Sequence, residues 1–177
     1  DDATKPWRGR ITGTAVEAAS FFTKTNGYND FIEHYLSLLS DKVDLFSIGS
    51  ELVGLTSVQD VDDSFPAVDE LVSLAVTAKS TLASGTKVTY AADWSEYHHE
   101  ANGWFNLDSL WASSNIDYVG IDAYFPLTDE VQTGYDKQKI IDGWTEGEGY
   151  DWFYSDASRT VQTPLTAEFA WKNIEYW

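Results

Sequence analysis

The alternation of apolar and polar positions divides this chain into short strands separated by helical segments. Apolar residues recur at three- and four-residue spacing after Asp30 and again after Ser64, which is typical of amphipathic helices capped by Asn29 or Asp30 and by Ser64. Short apolar runs bounded by Gly, Pro or polar residues predict strands. The predicted strands cover residues 7–12, 43–49, 87–92, 116–122 and 164–169.

The segments between these elements carry weaker signals. The second helix has Pro66 in its first turn and Gly85 as a natural stop. We expect a loop with a short helical piece at 14–29, loops at 56–64 and 93–115, a loop with a short helix near 136–143 inside 126–150, and a helix at 151–161.

Strands that alternate with helices predict an α/β fold with parallel pairing and right-handed crossovers. The pattern gives about five parallel strands in 177 residues, whereas a closed (β/α)8 barrel needs at least about 200 residues. We therefore expect a single domain over residues 1–177 that forms a partial or incomplete TIM barrel, with an open sheet as the alternative. The sequence contains no Met, so we expect the chain to be processed or to be a fragment of a longer one.

Composition excludes several kinds of function. The net charge of −18 argues against nucleic acid or an anionic membrane surface as a partner. No apolar run approaches the length of a membrane span, and the absence of Cys excludes disulfides and thiolate metal sites. Aromatic residues make up 15% of the chain, including eight Trp, and their flat faces suit either sugar rings or core packing.

Two glutamates each follow a predicted strand. Glu51 comes directly after the run that ends in Ser47-Ile48-Gly49-Ser50, and Glu168 comes at the end of Thr163-Pro164-Leu165-Thr166-Ala167. The carboxyl ends of parallel strands face a shared pocket, and two carboxyl groups there are the minimum required for glycoside hydrolysis. The alternative is that either residue is a solvated loop glutamate.

Several longer motifs resemble one protein family. The motifs are Trp7–Thr12, Ile48–Leu52, Tyr90–Tyr97, Leu110–Ser113, Ile116–Tyr124 and Gly147–Tyr154. They are similar to the barrel-like domain of phage-tail and gene-transfer-agent host-interaction proteins. That family is itself similar to the retaining (β/α)8 glycoside hydrolases, in which the acid/base Glu follows strand four and the nucleophile Glu follows strand seven.

The resemblance implies a role for individual residues. Glu51 matches the acid/base, Glu168 the nucleophile, and Tyr124 a Tyr that supports the nucleophile. Ser50 stands where the hydrolases usually have Asn, a donor to the sugar 2-hydroxyl. If this numbering of the strands applies, the chain spans strands three to seven.

One departure from the tail-protein family lies in the last strand. That family often has an apolar residue in a Trp/Phe-Arg-Tyr-Lys-Asp context, whereas this chain has Glu168 followed by Phe169-Ala170-Trp171-Lys172-Asn173. We interpret this difference as making the last strand of this chain more similar to that of the true hydrolases.

Further residues are candidates for substrate contacts. Asp93, Glu96 and Asp122 would stabilise an oxocarbenium-like transition state, or would form a solvated acidic rim. Trp94 and Trp171 are predicted sugar platforms, and we assign Trp104 and Trp111 to core packing.

The pair His98-His99, between Glu96 and Glu100, could suggest zinc. The spacing is wrong for a helical two-His site, so we predict a solvated loop pair and no metal.

Two functions follow as the main hypotheses, and a metal-dependent hydrolase that uses His98 and His99 is a weaker third. The first is a retaining glycoside hydrolase that needs no cofactor, acts on a β-linked polysaccharide of a bacterial envelope, and is extracellular or associated with a virion tail. The second is a catalytically degenerate barrel that serves as a glycan-binding or structural module and contacts other tail proteins.

Overall fold

The computed structural model describes residues 6–100, 102–125, 136–143, 152–154 and 160–164. A short 3₁₀ helix at Arg8–Arg10 precedes the other elements. These are α1 (Ala15–Thr23), α2 (Tyr28–Leu39), β1 (Leu45–Ser50), α3 (Val53–Thr56), α4 (Pro66–Thr81), β2 (Lys87–Asp93), α5 (Asp108–Trp111), β3 (Tyr118–Asp122), α6 (Lys137–Gly143), β4 (Trp152–Tyr154) and β5 (Gln162–Pro164).

Strands β1, β2 and β3 form a parallel sheet in chain order. Phe46 pairs with Val88, and Tyr90 pairs with Val119. The predicted parallel α/β arrangement is confirmed for these three strands. Because the three strands run parallel, all three carboxyl ends lie at one edge of the sheet.

One face of the sheet packs against helices and holds the core. Val88 and Tyr90 of β2 are fully buried, as are Val68 and Leu71 of α4. Burial of each such aliphatic side chain stabilises the fold by about 1.5–3 kcal/mol. Helix α1 packs beside α4 and begins with a capping box formed by Thr14 and Glu17.

The two predicted helix starts are each displaced. Helix α2 begins after Gly27 rather than after Asn29 or Asp30. Helix α4 begins after Phe65, because the Ser64 hydroxyl donates to Asp62 at 2.6 Å and does not cap the helix. No helix in the described part of the chain is long and apolar enough to span a bilayer.

The predicted strand at 7–12 is wrong. Arg8–Arg10 form a 3₁₀ helix that packs on α3 instead of pairing with the sheet. The two segments approach closely because Gly54 has no side chain. A Cβ atom at Gly54 would lie 2.6 Å from the Ile11 carbonyl oxygen and 2.8 Å from that of Gly9.

The predicted helix at 151–161 is also wrong where the structure describes it. Residues 152–154 form a strand, consistent with the β-propensity of Trp, Phe and Tyr. This strand pairs antiparallel with Gln162–Pro164, so the described part of the last predicted strand is antiparallel. Residues 165–169 lie outside the described residues. The short helix expected near 136–143 is observed at Lys137–Gly143.

We predict that Gly54→Ala destabilises the chain by about 1–3 kcal/mol, the usual cost of forcing extra atoms into a packed contact. The added methyl group meets backbone oxygens of the 7–11 segment, which can move only by separating from α3. Chemical denaturation monitored by circular dichroism measures the free energy of unfolding.

The control is Ser37→Ala on the exposed face of α2, which adds no atoms to a packed contact. This variant is expected to unfold within about 0.5 kcal/mol of the wild type, the range of ordinary surface changes. Equal free energies for the two variants would show that the 7–11 segment does not depend on close contact with α3.

Candidate functional site

The carboxyl ends of the three parallel strands bring together four of the predicted site residues. Ser50 and Glu51 follow one another at the end of β1, while Asp93 and Asp122 end β2 and β3 and pair directly in the register. The register between β1 and β2 is irregular between Ser47 and Ser50. Such irregularities redirect side chains and are over-represented beside active sites.

Glu51 has a strained backbone. Its φ is 51°, in the left-handed region that non-glycine residues avoid at a cost of about 1–3 kcal/mol. The Glu51 amide donates to the Ala91 carbonyl oxygen at 2.9 Å, which holds the residue against β2. The side chain lies in the site and only 8% of the residue is exposed.

The Glu51 carboxylate has two partners from the amino-terminal segment. The Trp7 indole Nε1 donates to Oε2 at 2.8 Å, and the Arg8 guanidinium forms an ion pair with the same oxygen at 3.0 Å. Within the described part of the chain, no donor reaches the other oxygen, Oε1. One carboxylate oxygen is thus held by protein donors and the other can face a ligand.

Arg8 also fixes Ser50. It donates to the Ser50 carbonyl oxygen at 2.7 Å and to the Ser50 hydroxyl oxygen at 2.9 Å. The Ser50 hydroxyl in turn donates to Asp122 at 2.9 Å. The hydroxyl proton is therefore directed across the sheet to β3, and Ser50 must release Asp122 before it could donate to a sugar hydroxyl.

The other predicted contacts have different environments. Asp93 is buried, and its carboxylate accepts from the amide and hydroxyl of Ser95 at 2.9 and 2.6 Å. Trp94 is half-buried and meets Phe125 edge to face, whereas Tyr124 is 77% exposed just beyond β3. Glu168 and Trp171 lie outside the described residues.

Comparison with known proteins adds one finding. The family model described as "GTA TIM-barrel-like domain" matches residues 26–173, which is most of the chain. This chain belongs to the GTA TIM-barrel-like domain family. No curated protein and no solved structure matches it. The resemblance to the gene-transfer-agent barrel-like domain is thereby confirmed, and the matched region of this GTA domain includes Glu51 and Glu168 but not Trp7 or Arg8.

Glu96 is a functional candidate whose position sequence reasoning missed. We expected the Glu96 carboxylate to stabilise a transition state or to lie in a solvated acidic rim, but only 1% of the residue is exposed. Its Oε1 accepts from the hydroxyls of Thr56 at 2.6 Å and Tyr90 at 2.9 Å, and its Oε2 accepts from the Asp93 amide at 3.0 Å. The spacing Asp93-Trp94-Ser95-Glu96 has the form of a capping box, which could have predicted the contact between Glu96 and the Asp93 amide.

Burial raises the pKa of Glu96 to about 7. The three hydrogen bonds from Thr56, the Asp93 amide and Tyr90 act in the opposite direction, since each favours the charged carboxylate, and the nearby Asp93 carboxylate raises the pKa slightly further. The loss of hydration on burial outweighs the effect of these hydrogen bonds, so the pKa of Glu96 is raised overall.

The prediction that His98 and His99 form a solvated pair is wrong. Both are buried in this GTA domain, with 5% and 4% exposure, and their Nδ1 atoms lie 2.5 Å apart. Burial lowers the pKa of both imidazoles, that of His99 to about 4, so both rings are neutral at pH 7. Among the described residues, no group of three or more His, Cys, Asp or Glu side chains could hold a metal ion.

Among the cavities in the described part of the barrel-like domain, two are lined by candidate residues. One of about 390 Å³ adjoins the site and is lined by Arg8 and Ser50 together with Phe21, Tyr28 and Phe31. The other, of about 540 Å³, is lined by His98, Trp111 and Ile121, and the Trp111 indole donates to the Tyr97 carbonyl oxygen beside it. The first cavity is continuous with the Glu51 partners, and aromatic walls of this kind suit the flat faces of sugars.

We predict a pH dependence of stability that originates in Glu96. Because the pKa rises from its usual 4.5 to about 7 on folding, the folded state binds more protons between these values. The free energy of unfolding should therefore fall as the pH rises from about 4.5 to 7, by about 3 kcal/mol at 1.36 kcal/mol per pKa unit, and this contribution should level off above.

The measurement is urea denaturation at pH 5, 6, 7 and 8 for the wild type and for Glu96→Gln, which cannot titrate at this position. Subtracting the two curves removes the contributions of all other groups. Parallel curves would mean that Glu96 titrates at the same pH in the folded and unfolded chains.

Proposed function

We propose that the carboxyl edge of the sheet binds a β-linked polysaccharide and cleaves it by retaining double displacement. The observation that supports this most directly is the strained Glu51, buried at a strand end and held by contacts to Ala91, Trp7 and Arg8. A backbone strain of this kind persists only where the surroundings enforce it, and such residues cluster at functional sites.

The asymmetric surroundings of the Glu51 carboxyl group fit an acid/base. Oε2 is held by Trp7 and Arg8, so a proton for the leaving group would be carried by Oε1. In the proposed reaction Glu51 transfers this proton to the glycosidic oxygen while the bond to the anomeric carbon breaks. Glu168 forms an ester with that carbon, and Glu51 then removes a proton from the water that hydrolyses the ester.

Neighbouring groups would assist through charge and shape. Asp122 and Asp93, which pair at the ends of β3 and β2, would supply negative charge near the carbon that becomes positively charged. Tyr124 would support Glu168, and Trp94 and Trp171 would stack on sugar rings. We assign these roles through the resemblance to retaining hydrolases.

The family gives this activity a setting. A domain of a gene-transfer-agent protein would act in a phage-like particle, outside the cell and near other tail proteins, where the envelope glycan of a bacterium is the available polysaccharide. We infer that β1, β2 and β3 are part of an incomplete barrel wall within a single domain spanning 1–177.

A second function, glycan binding without cleavage, is supported by the polar network itself. The Glu51 carboxylate already accepts from the Trp7 indole and pairs with the Arg8 guanidinium through Oε2. The Ser50 proton is directed to Asp122. A site in this state would hold sugar hydroxyls without reacting with them.

We predict that Glu51→Gln abolishes release of reducing ends from purified bacterial peptidoglycan, with a loss of at least about 100-fold, as expected when a general acid is removed. Binding should persist because the carboxamide keeps the shape of the side chain and an oxygen for Trp7 and Arg8. Reducing-sugar assays measure turnover, and co-sedimentation with insoluble peptidoglycan measures binding.

Glu33→Gln, on the exposed face of α2, is the control for loss of one negative charge and should behave as wild type. A wild-type chain that binds without releasing reducing ends, and whose binding Glu51→Gln weakens, would support the binding module. A chain that neither binds nor cleaves would exclude both functions for this glycan.

A further inference from the structure

The elements around Glu51 are connected through one buried carboxylate. Glu96 lies in the turn after β2, yet its partners belong to α3, to β2 and, through Tyr90, to the segment after β1. No other described carboxylate is buried to this degree, with 1% of the residue exposed.

The connection to Glu51 runs through the Tyr90 hydroxyl. The Leu52 amide donates to the Tyr90 oxygen at 2.7 Å. An amide can only donate, so the Tyr90 oxygen is the acceptor, and its own proton goes to Glu96 Oε1 at 2.9 Å. Tyr90 is fully buried, and no water competes for either bond in such a position.

The Leu52 amide affects the backbone conformation of Glu51 because the two residues are adjacent. Leu52 follows the strained Glu51 directly, and the Glu51 amide is itself bonded to Ala91. The amides on both sides of the Glu51 Cα atom are therefore held, one by β2 backbone and one by Tyr90. The left-handed conformation, and with it the direction in which the Cα–Cβ bond of Glu51 points, depends on both amides.

We propose that Glu96 is a positioning residue for Glu51, acting through the Tyr90 hydroxyl and the Leu52 amide. The role of Glu51 rests on the proposed function, but the coupling between Glu96 and the Glu51 side chain does not. The same carboxylate accepts from the amide of Asp93, so it also fixes the end of β2 that faces Glu51 across the site.

The test uses Tyr90→Phe, which removes one hydroxyl from the connection. Hydrogen exchange of the Leu52 amide, followed by NMR, should accelerate by about tenfold because the amide loses its acceptor. The Trp7 indole N–H resonance reports on the Glu51 carboxylate, since Trp7 donates to Glu51 Oε2, and it should shift as well. If the domain cleaves glycan, turnover should fall while glycan binding stays at the wild-type level.

Tyr28→Phe is the matched control for these NMR measurements. It also removes a tyrosine hydroxyl that donates to the β1 backbone, at the Ile48 carbonyl oxygen 3.1 Å away, but this hydroxyl is not hydrogen-bonded to Leu52 or Glu96. Leu52 exchange should stay within about twofold of wild type in this variant. A loss of stability alone would affect both variants, whereas the proposed coupling affects only Tyr90→Phe.

Glu96→Gln is a second route if Tyr90→Phe does not fold. A carboxamide has one acceptor oxygen where the carboxylate has two, so either the Tyr90 hydroxyl or the Asp93 amide loses its acceptor. The Trp7 resonance should shift, and exchange should accelerate at Leu52 or Asp93. Wild-type exchange and an unchanged Trp7 resonance in the folded variants would overturn the inference, while absence of glycan binding would overturn only the proposed function.

Discussion

A carboxylate that leaves water must be given hydrogen-bond donors, and at Glu96 this requirement determines how the site is assembled. A buried charge without partners costs several kcal/mol, and the donors here are a hydroxyl of α3, a hydroxyl of β2 and the amide that ends β2. These groups can reach one carboxylate only if the ends of β1 and β2 are packed tightly together. The strained conformation of Glu51 is stabilised by that packing, because Tyr90 holds the next amide.

The amino-terminal segment adds a second, separate constraint on Glu51. Trp7 and Arg8 reach the carboxylate because Gly54 allows the 3₁₀ helix to lie directly on α3. The family match begins at residue 26, so the matched region does not include these two donors, although the motif Trp7–Thr12 resembles the family. The site of this chain therefore combines a strand-end carboxylate from the matched region with partners from outside it.

Much of the sheet could be predicted from sequence, because apolar runs with β-branched and aromatic residues mark buried strands wherever helices cover them. The prediction is confirmed for β1, β2 and β3, and these strands bring Glu51, Asp93 and Asp122 to the carboxyl edge of the sheet. The segment Trp7–Thr12 has a similar composition, but it packs on α3 instead of joining the sheet. Whether a partner strand is available to a segment depends on the tertiary structure, which the local sequence pattern does not contain. Glu96 was missed because an acidic residue after a strand usually lies in solvent, and its burial depends on the distant Thr56 and Tyr90.

The contacts of Glu51 differ in strength in a way that bears on both proposed functions. The Arg8 side chain is 50% exposed, and ion pairs of that kind contribute only about 0–1 kcal/mol. The backbone contacts of Glu51 are instead made at buried positions, with 8% of Glu51 and 2% of Leu52 exposed. A sugar hydroxyl could replace Arg8 on the carboxylate at little cost, whereas redirecting the Cα–Cβ bond of Glu51 would disturb the Leu52–Tyr90 hydrogen bond. The buried backbone hydrogen bonds hold the Glu51 main chain, and the exposed Arg8 is the more replaceable partner of its carboxylate. A sugar hydroxyl that displaces the guanidinium would take over its contact with Oε2, while the Trp7 indole keeps the other hydrogen bond to that oxygen.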